Sequence, residues 1–217
     1  MIHRPLTLAL LVAVVAPVAA VLPTAALADN TARPHTVPLA EPNLFISPSG
    51  QPFRSKAGEP YPIVAWFKAT DKNNDGKIDR EEFKAEAEDW FHKMDLRKNG
   101  VIDDEIISLY EKKLVPEILN ANIMSPQAAS SDGGSTYGGP SGYKTARQGA
   151  AVFALINNGE PFRAADRSLR GRITLKDMQA QADLNFDELD YTHKGYLTLE
   201  ELPHPPAEVV SDSARKK

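Results

Sequence analysis

The feature that most constrains this chain is an aspartate followed five residues later by glycine, recurring at a patterned spacing. Asp71 and Gly76, Asp95 and Gly100, Asp166 and Gly171, and Asp190 and Gly195 form two pairs, and within each pair the starts lie 24 residues apart. The second pair repeats the first after 95 positions. Phe67 falls on Phe162, Ala69 on Ala164, Ile78 on Ile173, Ala85 on Ala180, Ala87 on Ala182 and Phe91 on Phe186. Ten of the 36 aligned positions over 67–102 are identical. Amphipathic helices alone do not keep glycine, aspartate and aromatic spacing together, so the chain contains an internal duplication.

Residues 71–82 read DKNNDGKIDREE, with oxygen donors at alternate places. Asp71, Asn73 and Asp75 offer side-chain oxygens, and Gly76 permits a sharp reversal. Lys77 offers its main-chain carbonyl while its ammonium faces water. Asp79 reaches inward directly or through a water, and Glu82 closes the loop with two oxygens. Calcium, a hard cation, takes about 6–8 oxygens at about 2.3–2.6 Å, and this order of donors is that of an EF-hand calcium loop. Turn propensity of Asp and Asn would not call for Glu at the twelfth place or aliphatic Ile78 at the eighth. Nor would it call for Trp66, Phe67 and Phe83 on both flanks. One calcium ion is the expected cofactor, with other hard divalent or trivalent ions as further candidates.

The other three loops have lost ligands. In 95–106, Asp95, Asn99 and Asp103 remain, but Arg97 holds the third place and Ile106 replaces the closing carboxylate. In 166–177, Asp166 is followed by Arg170 at the fifth place. In 190–201, Asp190 and Glu201 remain, with Thr192 third and Lys194 fifth. A basic side chain inside such a loop can stand in for the ion through charge-assisted hydrogen bonds, and Lys194 is expected to satisfy both Asp190 and Glu201. These loops are read as structural, binding metal weakly or not at all.

Outside the duplication, residues 1–28 have the form of an export signal. His3 and Arg4 precede an apolar run from Leu6 to Val21, and Ala26-Leu27-Ala28 offers small residues for cleavage after Ala28. The run is short and broken by Pro17 for a membrane anchor, so a periplasmic or secreted location is expected, with no membrane span in the mature chain. The absence of cysteine excludes thiolate metal sites, thiol catalysis and disulfides. A net charge of −4 gives no footprint for nucleic acid. Residues 29–60 read as a proline-rich extended arm, 61–122 as the first unit, 123–149 as a Gly/Ser-rich flexible linker, 150–202 as the second unit and 203–217 as a polar tail.

The spacing also constrains the fold. A 24-residue repeat leaves 12 residues between consecutive loops, too few for an exit helix, a connection and an entry helix. One shared helix from about Arg80 to Met94 satisfies the count, with Phe83, Ala87, Trp90, Phe91 and Met94 along one stripe. Its counterpart runs through Met178, Ala182, Phe186 and Leu189. Twelve helical residues rise about 18 Å, so loops at opposite ends cannot lie side by side. The loops are therefore expected to pair between copies, Ile78 with Leu197 and Ile102 with Ile173. The predicted class is all-α: EF-hand-like duplicated helix-loop-helix-loop-helix units with shared short helices, plus the extended arm and the linker.

The signal, the 24-residue spacing and the intact loop together resemble periplasmic EF-hand proteins of Gram-negative bacteria, over about residues 60–205. The spacing is similar to that of the lanthanide-binding lanmodulins, and Asp79 at the ninth place looks like their loops. Those loops carry proline second, where this chain has Lys72, Leu96, Arg167 and Tyr191, so the likeness is partial. A high-capacity lanthanide binder is not implied.

Two roles follow from one intact loop. Ion binding could pull Glu82 inward, reorient the shared helix and open an apolar groove of Trp66, Phe67, Phe83, Trp90 and Phe91 to a protein or peptide partner. Alternatively, calcium stabilises the fold without switching. The patch Leu44-Phe45-Ile46 is a candidate built-in occupant of that groove. No nucleophile elbow, HExxH motif or phosphate loop is present, and the five histidines are scattered, so no enzyme is expected.

Overall fold

The structure, a computed structural model, describes residues 43–56, 58–123 and 147–208. The expected export signal with its cleavage point, most of the linker and the end of the tail lie outside them. In chain order the elements begin with β1 (Asn43–Ile46), β2 (Pro52–Ser55) and α1 (Ile63–Thr70). The first copy continues with β3 (Ile78–Asp79), α2 (Arg80–Met94), β4 (Ile102–Asp103) and α3 (Asp104–Leu109). A π turn at Tyr110–Leu114 and a 3-10 turn at Pro116–Asn120 lead to β5 (Asn122–Ile123). The second copy holds β6 (Arg147–Gln148), α4 (Pro161–Ala165), β7 (Arg172–Ile173), α5 (Leu175–Leu189) and β8 (Tyr196–Leu197).

The 12-residue gap is resolved as the spacing requires. α2 serves as exit helix of one loop and entry helix of the next, and α5 does the same in the second copy. These two helices pack on each other more extensively than any other pair of helices. α2 buries Phe83, Glu86, Ala87, Trp90, Phe91 and Met94, at steps of three and one that keep one face inward. α5 answers with Met178, Ala182, Asn185, Phe186 and Leu189. Arg80 of α2 reaches Asp183 and Asp187 of α5, and its guanidinium lies 4.5 Å from the Phe186 ring centroid.

Loop pairing is crossed. β3 runs antiparallel to β8 with Ile78 opposite Leu197, and β4 antiparallel to β7 with Ile102 opposite Ile173. All four aliphatic side chains are buried, so each two-residue bridge joins the copies through its core face as well as its backbone.

The all-α expectation does not hold. Among the described residues there are four two-stranded antiparallel sheets beside the helices. Two are the loop bridges; the other two come from segments whose sequence carried no helical period. β1 and β2 form a hairpin in what reads as an extended arm, with Leu44 opposite Arg54 and Phe45 opposite Phe53. A Ser-Pro-Ser-Gly turn reverses the chain, with Gly50 at φ 100° and its N–H donating to the Ser47 carbonyl. Pro52 begins the second strand, where a missing N–H does least harm. β5 and β6 bring residues 122–123 against 147–148.

The hairpin belongs to the core. Leu44, Phe45 and Ile46 are buried, and the Ile46 N–H donates to the Phe153 carbonyl at 2.9 Å. Phe45 lies 5.5 Å from Trp66, which meets Phe83 edge-on, and Phe83 meets Phe186. A second cluster gathers Leu44, Ile46, Trp90, Phe91, Tyr110 and Phe162. Full burial of a side chain of this size contributes about 1.5–3 kcal/mol, so the hairpin is a structural member rather than an appendage.

Candidate metal centre

All four loops follow one backbone course. Asp71 accepts main-chain N–H groups from Asp75 and Gly76 at 3.2 and 3.0 Å. Asp95 accepts from Asn99 and Gly100 at 3.0 and 2.7 Å, and Asp166 from Arg170 and Gly171 at 3.0 and 2.6 Å. Asp190 accepts from Lys194 and Gly195 at 2.9 and 2.7 Å. The fourth residue of each loop, Asn74, Lys98, Leu169 or His193, is left-handed at φ 51–58°. Among these Asn and, less readily, His favour that conformation, whereas Lys and Leu do not. The shared course is therefore imposed by the first-position carboxylate and the bridges, not by local preference.

What the loops hold differs. In 71–82, Asn73 Oδ1 accepts from the Asp75 N–H at 2.8 Å, and Asp75 Oδ1 from the Lys77 N–H at 2.9 Å. Glu82 spans the loop mouth. Its Oε1 accepts from the Lys72 and Asn73 N–H groups at 2.9 and 3.2 Å, and its Oε2 from the Asp79 N–H at 3.1 Å. The Glu82 N–H in turn donates to Asp79 at 2.8 Å, so the ninth and twelfth loop residues are also the capping box of α2. As placed, these carboxylates are turned onto loop amides. Among the described residues no three acidic or histidine side chains are gathered into a ready cage.

The donors nonetheless fit a hard cation. Four carboxylates, one amide oxygen and one carbonyl lie on a single closed turn, and no cation enters it. The Lys72 ammonium stands 3.9 Å from Asp89, and that of Lys77 lies 4.3 Å over the Tyr196 ring. An ion would take Glu82 over from the Lys72, Asn73 and Asp79 amides, whose bonds are exposed enough for water to replace the carboxylate.

Each of the other loops contains its own cation. Arg97 bonds Asp103 and Glu105. The Asp103 carboxyl is held below its usual range, first by the Ile106 N–H and further by Arg97. Arg170 donates to Ser168 at 2.6 Å and stands 3.3 Å from Asp177. Asp166 is lowered, chiefly by the Arg170 N–H. Lys194 bonds both oxygens of Glu201, lowering the carboxyl and raising the ammonium. The sequence expectation that Lys194 also satisfies Asp190 through its ammonium differs from what is found. Each oxygen of Asp190 accepts a main-chain N–H, and the ammonium bonds Glu201 instead.

The expected groove residues Trp66, Phe67, Phe83, Trp90 and Phe91 are all buried. They divide between two clusters, and β1 packs on both. Sequence reasoning missed Glu86, a buried carboxylate one turn beyond Glu82. Its Oε1 accepts from the Ser47 and Ser49 hydroxyls at 2.8 and 2.9 Å. Burial pushes its pKa up to about 7 against the pull of the two serines. A signal was there: Glu86 stands between Phe83 and Trp90 on the inward stripe.

Residues 63–85, which comprise α1, the intact loop and the start of α2, match the family model described as EF hand. The match supports an EF hand in that segment, and calcium is the ligand it suggests. A comparison with curated proteins finds no match. Among the described residues no helix is long and apolar enough to cross a membrane.

Proposed function

We propose that this chain is an exported, non-enzymatic calcium-responsive protein that holds a single ion in loop 71–82 through Asp71, Asn73, Asp75, the Lys77 carbonyl, Asp79 and Glu82. The observation that carries the reading is the distribution of cations. The loops at 95–106, 166–177 and 190–201 each have a basic side chain bonded to a carboxylate within or just beyond the ligand set, and loop 71–82 has none. A divalent ion entering one of those three would face a fixed positive charge and fewer ligands. Binding in 71–82 transfers Glu82 from amides to metal, and this carboxylate is carried on the first turn of α2. A protein or peptide partner would then read the response of that helix, in a periplasmic or extracellular setting.

A second reading, a static stabilising ion, is favoured by the burial of the aromatic groove under the chain's own hairpin. Apolar-dye fluorescence with and without calcium separates the two, since only the switching protein gains dye binding.

The site itself is tested by calorimetric calcium titration of the chain from Asp29 onward, compared with Glu82→Gln. One site is expected, weakened at least tenfold in the variant because the bidentate group is lost. Two or more tight sites, or an unaffected variant, would refute it.

A further inference from the structure

The turn at 47–51 occupies a position that the metal reading leaves unused. It enters between α2 and α5 and touches elements of both copies. From α2, Glu86 accepts the two serine hydroxyls, and Ser47 and Ser49 are themselves 2.9 Å apart. From α5, the Asn185 side-chain amide donates to the Pro48 carbonyl at 3.1 Å. Tyr110, beyond α3, donates its hydroxyl to the Gly50 carbonyl at 2.8 Å. Pro161, which opens α4, packs against Gly50 so closely that an added Cβ would lie 3.1 Å from its own Cβ, and the Trp90 indole nitrogen would be at 3.4 Å.

These contacts share a feature that simple core packing does not need. Glu86, Ser47, Ser49 and Asn185 are all buried polar groups. The two serines bond Glu86 across the junction of hairpin and helices, and Asn185 bonds the Pro48 carbonyl across it while its Oδ1 accepts from Gln181 of its own helix. Polar groups buried in this way are costly unless all partners stay in register. The junction therefore keeps its buried polar groups satisfied only while these bonds are made together. Glu86 sits four residues after Glu82 on the same helix, so the groups that bind the ion and those that seat the turn are one helical turn apart on a rigid element. With the turn seated, Glu82 is turned onto the Lys72, Asn73 and Asp79 amides.

Resting on the calcium reading above, we propose that the 47–51 turn is a latch on α2 whose seating opposes ion binding in loop 71–82. Drawing Glu82 onto an ion moves the first turns of α2 relative to the hairpin, and the Glu86–serine contacts yield. By linkage, whatever factor the latch removes from calcium affinity, calcium removes from the latch.

Calcium titration of the wild-type chain, Ser47→Ala/Ser49→Ala and Asn185→Ala by calorimetry tests this. Asn185→Ala opens the α5 side without leaving the carboxylate unpartnered, so it guards against a folding defect in the double variant. Both variants are expected to bind calcium about fivefold or more tightly than wild type, the lower range of measured couplings. In Trp66→Phe, which leaves Trp90 against the turn as reporter, calcium is expected to shift the indole emission to the red. Unchanged or weaker affinity in Asn185→Ala overturns the latch while leaving the calcium site standing. Absence of binding in the wild type overturns both.

Discussion

Replacing Glu86 with glutamine isolates the energetics of the buried carboxylate. Glu86 is 8% exposed, and its pKa stands at about 7, raised by burial from an ordinary 4.5. Below about pH 4.5 the carboxyl is protonated in both folded and unfolded chains and contributes no pH dependence. Between about 4.5 and 7 the unfolded chain releases the proton and the folded chain keeps it, so stability falls as pH rises. Above about 7 the loss is complete and levels off. A shift of this size corresponds to at most about 3 kcal/mol, and relaxation around the charge brings an expected value nearer 1–2 kcal/mol. In Glu86→Gln the new side chain is a neutral isostere whose Oε1 still accepts both serine hydroxyls. Its unpartnered amide adds a constant cost that does not depend on pH, so the slope of the difference is the informative quantity. Urea denaturation of both proteins at pH 5, 6, 7 and 8, in chelator so that no ion contributes, should show the variant gaining about 1–2 kcal/mol on the wild type from pH 5 to pH 8. Glu160, also pushed up to about 7 chiefly by burial, contributes in the same direction to both and cancels. A pH-independent offset would refute the buried-carboxylate argument.

Two further perturbations probe other parts of the reasoning. Rebuilding the fourth loop by Thr192→Asn with Lys194→Asp removes the internal cation and restores two ligand places beside Asp190 and Glu201; calorimetric stoichiometry should rise from one calcium to two. Phe45→Ala empties the centre of the cluster between Trp66 and Tyr61 and should cost about 3–5 kcal/mol by denaturant titration, whereas a loss under about 1 kcal/mol, as at surface sites, would mean that the hairpin is not part of the core.

The legible part of this fold was the part governed by counting. A 12-residue gap admits one helix, one helix separates its end loops, and the crossed partners Ile78–Leu197 and Ile102–Ile173 follow from that separation. The cations at Arg97, Arg170 and Lys194 were legible too, because each occupies a numbered ligand place. The hairpin was not. Residues 43–55 contain one alternation of apolar and polar residues too short to register as a strand pair, and proline at 48 and 52 argued for extension. What settles their conformation is a tertiary fact, the groove between α2 and α5 and the polar pair Glu86 and Asn185 that line it. Asn185 stands at the place that Trp90 holds in the other copy. That replacement of an aromatic by an amide creates the donor for the Pro48 carbonyl, and it is invisible until the two copies are seen to face each other.

The same duplication accounts for why one loop can keep its ligands while the others lose theirs. Carboxylates gathered in such a loop repel one another, and either a bound ion or a side chain of opposite sign relieves that repulsion. Lys194 bridges the fourth loop to Glu201, and β8 at its centre is the strand against which β3 of the intact loop pairs. Half of that bridge is therefore held by an ion pair of the chain's own. On the proposed reading the intact loop would not have to assemble its partner strand when it binds an ion. Its response would, on that reading, run along α2 toward Glu86 and the hairpin. The loss of ligands in the partner loop would, on the same reading, leave a single site on a preformed support, with α2 to carry the response.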